Sequence, residues 1–135
     1  MKYRKGYKYQ LAETDSMQTN IIPPSPIQTE FIALDMSGKL TLISGYASDG
    51  PSGPTIDTKS SIKGAFYHDG GCQLIRMGLL PHEPETIAKV HMMAYETWLK
   101  SGMYEWRAAL WHRELRKFAG FAVNPKNVKK VYEVN

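Results

Sequence analysis

The chain has 135 residues, of which 42% are hydrophobic and 22% charged, and its formal net charge is +4. This length and composition are typical of one globular domain with a real core, and no run approaches the roughly 20 apolar residues of a membrane span. A single cysteine excludes an internal disulfide framework and indicates a reducing compartment. The basic residues concentrate at 2–8 and 113–130. No aromatic-basic motif accompanies them, which favours a solvated surface or an anionic partner over nucleic acid.

Residues 1–44 are predicted to be rich in β-strands. The segment from Tyr7 to Leu11 alternates apolar and polar side chains, which is the period of a half-buried strand. Residues 17–22 are a weaker candidate, ended by a proline-rich stretch that cannot join a central ladder. Residues 31–34 and 40–43 flank the turn-type sequence Asp-Met-Ser-Gly, which predicts a hairpin.

Residues 58–120 are predicted to be helical. Helical spacing of apolar residues extends over 58–77, about 85–101 and about 103–119, with a glycine placed to end each stretch. Pro84 suits the first turn of the second helix. A tail over 121–135 contains a candidate short strand at 128–134. Strands followed by helices predict a single α+β domain, with antiparallel strands packed on about three helices.

The loop over 45–57 is the most distinctive stretch, because it is rich in Gly, Pro and Ser. Glycines supply backbone angles that other residues resist, and prolines fix the angle between them. The loop is therefore a defined backbone cradle, a flexible tip or a rigid connector. Asp57 or Thr58 is a good N-cap for the helix that follows, which favours the cradle. As a cradle, its ligand-binding candidates are Asp49, Gly50, Ser52, Gly53 and Asp57.

The pair His68-Asp69 is the one pairing in the sequence with a catalytic character. Helical spacing places His68 on a face with Ala65, Cys72 and Ile75, one turn after Gly64, which permits close approach. A histidine there can act as a general base on water, and an aspartate beside loop carbonyls can hold calcium. The structural alternative is a histidine hydrogen-bonded in the core and an aspartate paired with a loop amide or a lysine.

The other candidate residues favour structural roles. Cys72 follows His68 by one turn and is interpreted as a small buried hydrophobe. The remaining histidines lack metal-ligand spacing, and His91 falls on the apolar stripe of its helix, as a satisfied core histidine would. The three tryptophans are interpreted as core or interface, with core favoured; they are Trp98, Trp106 and Trp111.

The stretch Gly45-Tyr46-Ala47-Ser48-Asp49-Gly50-Pro51-Ser52-Gly53-Pro54, followed by Gly64 and His68-Asp69, resembles the core of a phage and prophage family classed as domain of unknown function 1353. The likeness extends over about residues 7–120 and includes the late Arg-Lys-Phe-Ala-Gly at 116–120. It implies an origin in a tailed phage or prophage, with the protein located in the virion or in the host cytoplasm.

A more distant similarity connects the glycine-bearing loop and the His-Asp helix to the secreted type A-two phospholipases. That resemblance implies that His68 is the base for water and that Asp69 binds calcium together with carbonyls of loop 49–54. The chain departs from the pattern at two positions, since Cys72 replaces the tyrosine of the motif and Lys89 replaces the aspartate that orients the histidine. A lysine facing His68 disfavours the imidazolium form. Glu85 or Glu96 could substitute as the orienting group.

The sequence therefore leaves two main functions open. The favoured one is a phage-encoded accessory or virion-associated protein that binds a phage or host protein or a small anionic ligand, on a degenerate phospholipase-like scaffold. The alternative is a calcium-dependent lipid or ester hydrolase that acts on the host envelope; otherwise no cofactor is expected. A third and weaker alternative is a counter-defence protein that sequesters a nucleotide signal. No phosphate-cradling motif in the sequence supports this alternative. The oligomeric state stays open.

Overall fold

A computed structural model describes residues 1–4, 9–48 and 59–117 of the chain. Antiparallel strands in two sheets are followed by three helices, which confirms the predicted α+β class. The strands are β1 (Tyr3–Arg4), β2 (Tyr9–Leu11), β3 (Asp15–Gln18), β4 (Ile27–Gln28), β5 (Ile32–Leu34), β6 (Lys39–Leu42) and β7 (Ala47–Ser48). The helices are α1 (Lys59–Arg76), α2 (Pro84–Lys100) and α3 (Glu105–Lys117).

One sheet joins the strands that precede and follow four consecutive strands in the chain, and the other is built from those four. The first has the strand order β1-β2-β7 and the second the order β3-β6-β5-β4, and all pairings are antiparallel. The predicted hairpin is confirmed as β5 and β6. Its turn is held by Asp35, whose Oδ1 accepts hydrogen bonds from the Ser37 amide at 2.9 Å and the Lys39 amide at 3.0 Å. A further bond from the Ser37 hydroxyl is the main reason that the pKa of Asp35 is lowered.

The shortest strands are the ones that the sequence did not predict. Residues 47–48 were assigned to the Gly/Pro loop, but they form β7 and pair with β2, with Tyr9 opposite Ser48. A two-residue strand is too short to show a period, so only its partner identifies it. The predicted strand at 17–22 is also displaced, because β3 covers 15–18. Residues 7 and 8 of the first predicted strand lie outside the described ranges.

Helix α1 occupies the centre of the molecule. The prediction gave it one covered face, but all its residues from 60 to 76 are buried or partly buried. Phe66, Tyr67 and Leu74 are fully buried on sides other than the predicted face. The Tyr67 hydroxyl donates to the Asp15 carboxylate of β3 at 2.5 Å, which connects the helix to the second sheet. A helix that is covered all round shows little periodicity, which explains the incomplete prediction.

Two glycines of α1 allow α2 to approach closely. A Cβ at Gly64 would collide with the indole ring of Trp98, and one at Gly71 would lie 2.8 Å from a methyl carbon of Val90. The Trp98 indole N–H donates to the Ser61 carbonyl at 3.0 Å, so the ring is fixed over the glycine. The expectation that Gly64 permits close approach is thereby confirmed.

Helix α3 packs on α2 through a narrow face. Trp98 and Trp111 are buried and meet edge to face, with ring centroids 5.3 Å apart, whereas Trp106 is 69% exposed. The favoured core interpretation is thus confirmed for Trp98 and Trp111, whereas the exposed Trp106 fits the interface alternative instead. Gly78 and Gly102 adopt positive φ angles just after α1 and α2, as expected of helix ends. The predicted strand at 128–134 and the end of the third predicted helix lie outside the described residues.

Replacing Gly64 by alanine should destabilise the protein. The added methyl group must displace the Trp98 ring, and overpacking of this kind lowers the free energy of unfolding by about 1–3 kcal/mol. The higher helix propensity of alanine offsets up to about 1 kcal/mol of that loss. We expect a net loss in the free energy of unfolding, measured by urea denaturation. Lys63→Ala on the same helix is the matched control and should change stability by less than about 0.5 kcal/mol. A Gly64→Ala protein as stable as wild type would contradict the packing described here.

Candidate functional site

The candidate site lies where α1 and α2 cross. Nε2 of His68 lies 3.0 Å from Nδ1 of His91, and the two rings are stacked with centroids 5.1 Å apart. One of the two nitrogens carries the hydrogen and the other accepts it. His112 of α3 approaches the outer side of His91 edge-on, with ring centroids 6.5 Å apart. One histidine from each helix therefore forms a row across the bundle.

Both central histidines are neutral at physiological pH. Loss of water around the ring, followed by the neighbouring His91 and Arg76, lowers the pKa of His68 to about 3. Burial, followed by His112 and Arg116, lowers the pKa of His91 to about 4. A general base works best when its pKa lies near the operating pH. A histidine with a pKa of about 3 is a weak base.

Cys72 lies against His68 but has no nucleophilic character. Its Sγ is 3.6 Å from Nε2 and 3.9 Å from Nδ1 of His68, and its side chain is 1% exposed. Burial and the negative charge of Asp69 raise the pKa of this thiol to about 12, so it is protonated at neutral pH. The structure thus brings Cys72 next to His68, as a buried thiol rather than a thiolate.

Lys89 does not face His68. Its Nζ lies 3.6 Å from a carboxylate oxygen of Glu85, and both side chains are on the exposed side of α2. The residue of α2 opposite His68 is His91, two positions further along and on another face of the helix. Lys89 is therefore not the group that disfavours the imidazolium form of His68, contrary to the prediction. Burial of the ring and the neighbouring His91 have that effect. Glu85, paired with Lys89, is not available to orient His68 either.

His91 was not identified from the sequence as a member of the candidate site. It was interpreted as a satisfied core histidine, and it is indeed only 2% exposed. However, its Nε2 is buried without a hydrogen-bond partner within the described residues, and its Nδ1 binds another histidine instead of a backbone group. The signal available in the sequence was its place on the apolar stripe of α2, which could not reveal the partner.

The calcium half of the hypothesis falls partly outside the described ranges. Asp69 is partly buried on α1. The loop candidates Asp49, Gly50, Ser52, Gly53 and Asp57 all belong to residues 49–58, which are not described. Across the described residues, no group of three or more His, Cys, Asp or Glu side chains is arranged to hold a metal ion.

Comparisons with known proteins add no relative: no family model, no curated protein and no solved structure matches the chain. Among the described helices, none has the length and apolar character needed to cross a bilayer.

Acidification should destabilise the fold through the histidine pair. Because the folded pKa values lie below the ordinary 6.5, the unfolded chain binds more protons, and stability is lost as the pH falls below about 6.5. At pH 5 the cost is on the order of a few kcal/mol for the pair as a whole. We expect urea denaturation of the wild type to show this loss between pH 7.5 and 5, and His91→Gln to show a smaller one.

The control for this prediction is His82→Gln, because His82 is exposed and lies away from the pair. It should reproduce the wild-type dependence on pH. Equal stability of the wild type at pH 7.5 and 5 would contradict a buried neutral pair.

Proposed function

We propose that the chain is a phage-encoded accessory or virion-associated protein that acts by binding another protein. The phage origin is supported only by the resemblance of the loop and the His-Asp helix, as is a location in the virion or the host cytoplasm. Binding as the mode of action is supported by a surface on α3, and by the state of His68, which does not suit hydrolysis.

The observation that carries the proposal is the exposure of large apolar side chains on α3 and just before it. Tyr104 is 75%, Trp106 69% and Leu110 40% exposed, although Trp111 of the same helix is buried. Tryptophan and tyrosine are enriched among the residues that dominate protein interfaces, because a partner can bury much apolar area on a rigid side chain. The exposed side of α3 is therefore suited to a partner rather than to water alone.

The charge of the same surface indicates the kind of partner. Trp106, Leu110, Arg113 and Lys117 are spaced four, three and four residues apart, which places them along one side of α3. Arg113 and Lys117 are exposed, with Lys117 also paired with Glu114 at 3.2 Å. An apolar patch that continues into cations is complementary to an acidic surface with an apolar pocket. We therefore infer an acidic protein partner.

The geometry around His68 supports hydrolysis less well. A base for water needs a free ring nitrogen within hydrogen-bond reach of that water. Nε2 of His68 is engaged by His91 at 3.0 Å, and the Cys72 thiol lies nearer to that nitrogen, at 3.6 Å, than to Nδ1, at 3.9 Å. The nitrogen that meets His91 is therefore not presented to a substrate, and the lowered pKa weakens the imidazole as a base.

Trp106→Ala should weaken binding to the partner without destabilising the fold. A photo-reactive amino acid at position 106, in phage-infected cells, should cross-link to a protein that mass spectrometry can identify. With that protein purified, Trp106→Ala should weaken binding by about 2 kcal/mol, roughly 30-fold, because a central aromatic anchor is lost.

Met36→Ala is the matched control, since Met36 is another exposed apolar side chain, 49% exposed, in the turn between β5 and β6. It should bind like the wild type. Equal affinity of Trp106→Ala and wild type for the identified partner would contradict the assignment of this surface.

Calcium titration separates the proposal from the hydrolase alternative. On the binding account, calorimetry at millimolar calcium should give no heat with the wild type. A heat that disappears in Asp69→Ala but persists in Glu83→Gln, an exposed carboxylate at the start of α2, would overturn this expectation and favour the hydrolase.

A further inference from the structure

A groove lies between the edge strand β3 and helix α2. Its cavity volume is about 330 Å³, at the lower end of the usual range for ligand sites. One wall is formed by Met17, Gln18, Thr19 and Asn20. Met17 and Gln18 are the last two residues of β3, and Thr19 and Asn20 directly follow it, so the groove borders the C-terminal end of this strand. The opposite wall is formed by α2 side chains, namely Lys89, Met92, Met93, Glu96, Thr97 and Lys100.

The edge of β3 beside this groove carries backbone groups that have no backbone partner among the described residues. Among the described strands, β3 is the outer one of its sheet and pairs only with β6. The Thr19 amide donates to the Gly38 carbonyl at 2.9 Å. Hydrogen-bonded pairs alternate along an antiparallel ladder, so Met17 and Asp15 of β3 also direct their backbone groups towards β6. The backbone groups of the intervening residues, Ser16 and Gln18, consequently point away from β6. In the described part of the chain no other backbone group bonds to them.

An unpaired strand edge is a template for a further strand, and proteins usually cover or blunt it. Peptide-binding domains use such an edge: an extended segment adds to the sheet, its backbone bonds give affinity, and the pockets beside it select side chains. Here the wall beside the edge is helix α2, whose methionines Met92 and Met93 offer an adaptable apolar contact. Thr97 lies close to β3 at the floor, with its hydroxyl 3.8 Å from Sδ of Met17.

The charges of the helical wall indicate which peptide would fit. Lys89 and Lys100 lie at opposite ends of the groove wall, and Glu96 is the one carboxylate among the described residues that line it. The lysines are separated by eleven positions, about 16 Å along a helix, which corresponds to about five residues of extended chain. The ion pair of Lys89 with Glu85 is exposed and therefore a weak competitor.

We propose that this groove binds an extended acidic segment of another protein, which adds to the free edge of β3 and places its carboxylates near Lys89 and Lys100. This site is separate from the exposed surface of α3 and uses none of its residues. The two proposals can therefore fail independently.

The test uses the full chain and a fluorescein-labelled heptapeptide with the sequence Thr-Glu-Val-Thr-Val-Glu-Thr. Its carboxylates are four positions apart, about 13 Å in an extended chain, within reach of the two lysines. Fluorescence anisotropy should show binding with a Kd below about 1 mM. The same peptide with N-methyl groups on alternate backbone amides cannot pair along one edge, and should bind at least about tenfold more weakly. A peptide with lysine in place of glutamate should also bind at least about tenfold more weakly.

Variants of the protein locate the site. Lys89→Glu and Lys100→Glu should each weaken binding of the acidic peptide by about tenfold, while Trp106→Ala should leave it unchanged. Ser16→Pro removes one outward amide and should abolish binding, whereas Ser16→Ala keeps the amide and should bind like the wild type. Thermal melting of Ser16→Pro checks that the variant is folded. The N-methylated peptide tests backbone pairing on the unaltered protein.

Three results of the peptide assay would overturn the proposal. They are absence of binding to the wild type at about 1 mM peptide, equal binding of the N-methylated peptide, and equal binding of the lysine peptide. Concentration-dependent dimerisation that is lost in Ser16→Pro would also overturn it, since the edge would then be covered by a second copy of this chain.

Discussion

The close contact between α1 and α2 is the constraint on which the rest of the structure depends. Gly64 and Gly71 remove the side chains that would keep the helices apart, and the spaces they leave are filled by Trp98 and Val90. Without this approach, His68 and His91 could not stack at hydrogen-bonding distance. The same contact leaves the other sides of α2 available to α3 and to β3. Gly64 and Gly71, which have no side chain, are therefore needed for three features: the candidate site, the Trp98–Trp111 contact and the groove beside β3.

The sequence predicted the elements that have a clear period and a clear stop. The three helices and the β5–β6 hairpin were found because apolar spacing, turn residues and terminal glycines agree for each of them. The short strands β1, β4 and β7 were missed because two residues carry no period. Trp106 was misplaced for a different reason: within α3 only Ala108 and Trp111 are buried, so the buried face is narrower than its apolar residues suggest.

The candidate site was only half predictable. Helical spacing identified His68 and Cys72 as neighbours on α1, and the structure places the thiol 3.6 Å from the imidazole. Helical spacing could not identify the residue of α2 that faces His68 and Cys72, because the facing residue depends on how the two helices cross and not on either sequence alone. The resemblance to a phospholipase pointed to Lys89, whereas the crossing selects His91. A motif-based assignment thus placed a charge next to His68 where the structure has a second neutral ring.

A structural histidine pair differs from a catalytic one in its protonation, and long-range ¹⁵N–¹H NMR of the imidazole rings measures that difference most directly. We predict that His68 and His91 each remain neutral, as a single tautomer, from pH 7.5 down to about 5, with the pKa values of both lowered by burial. Titration of His68 with a pKa near 7, or a ring that exchanges between tautomers, would contradict it. Such a result would return His68 to the role of a base available to water.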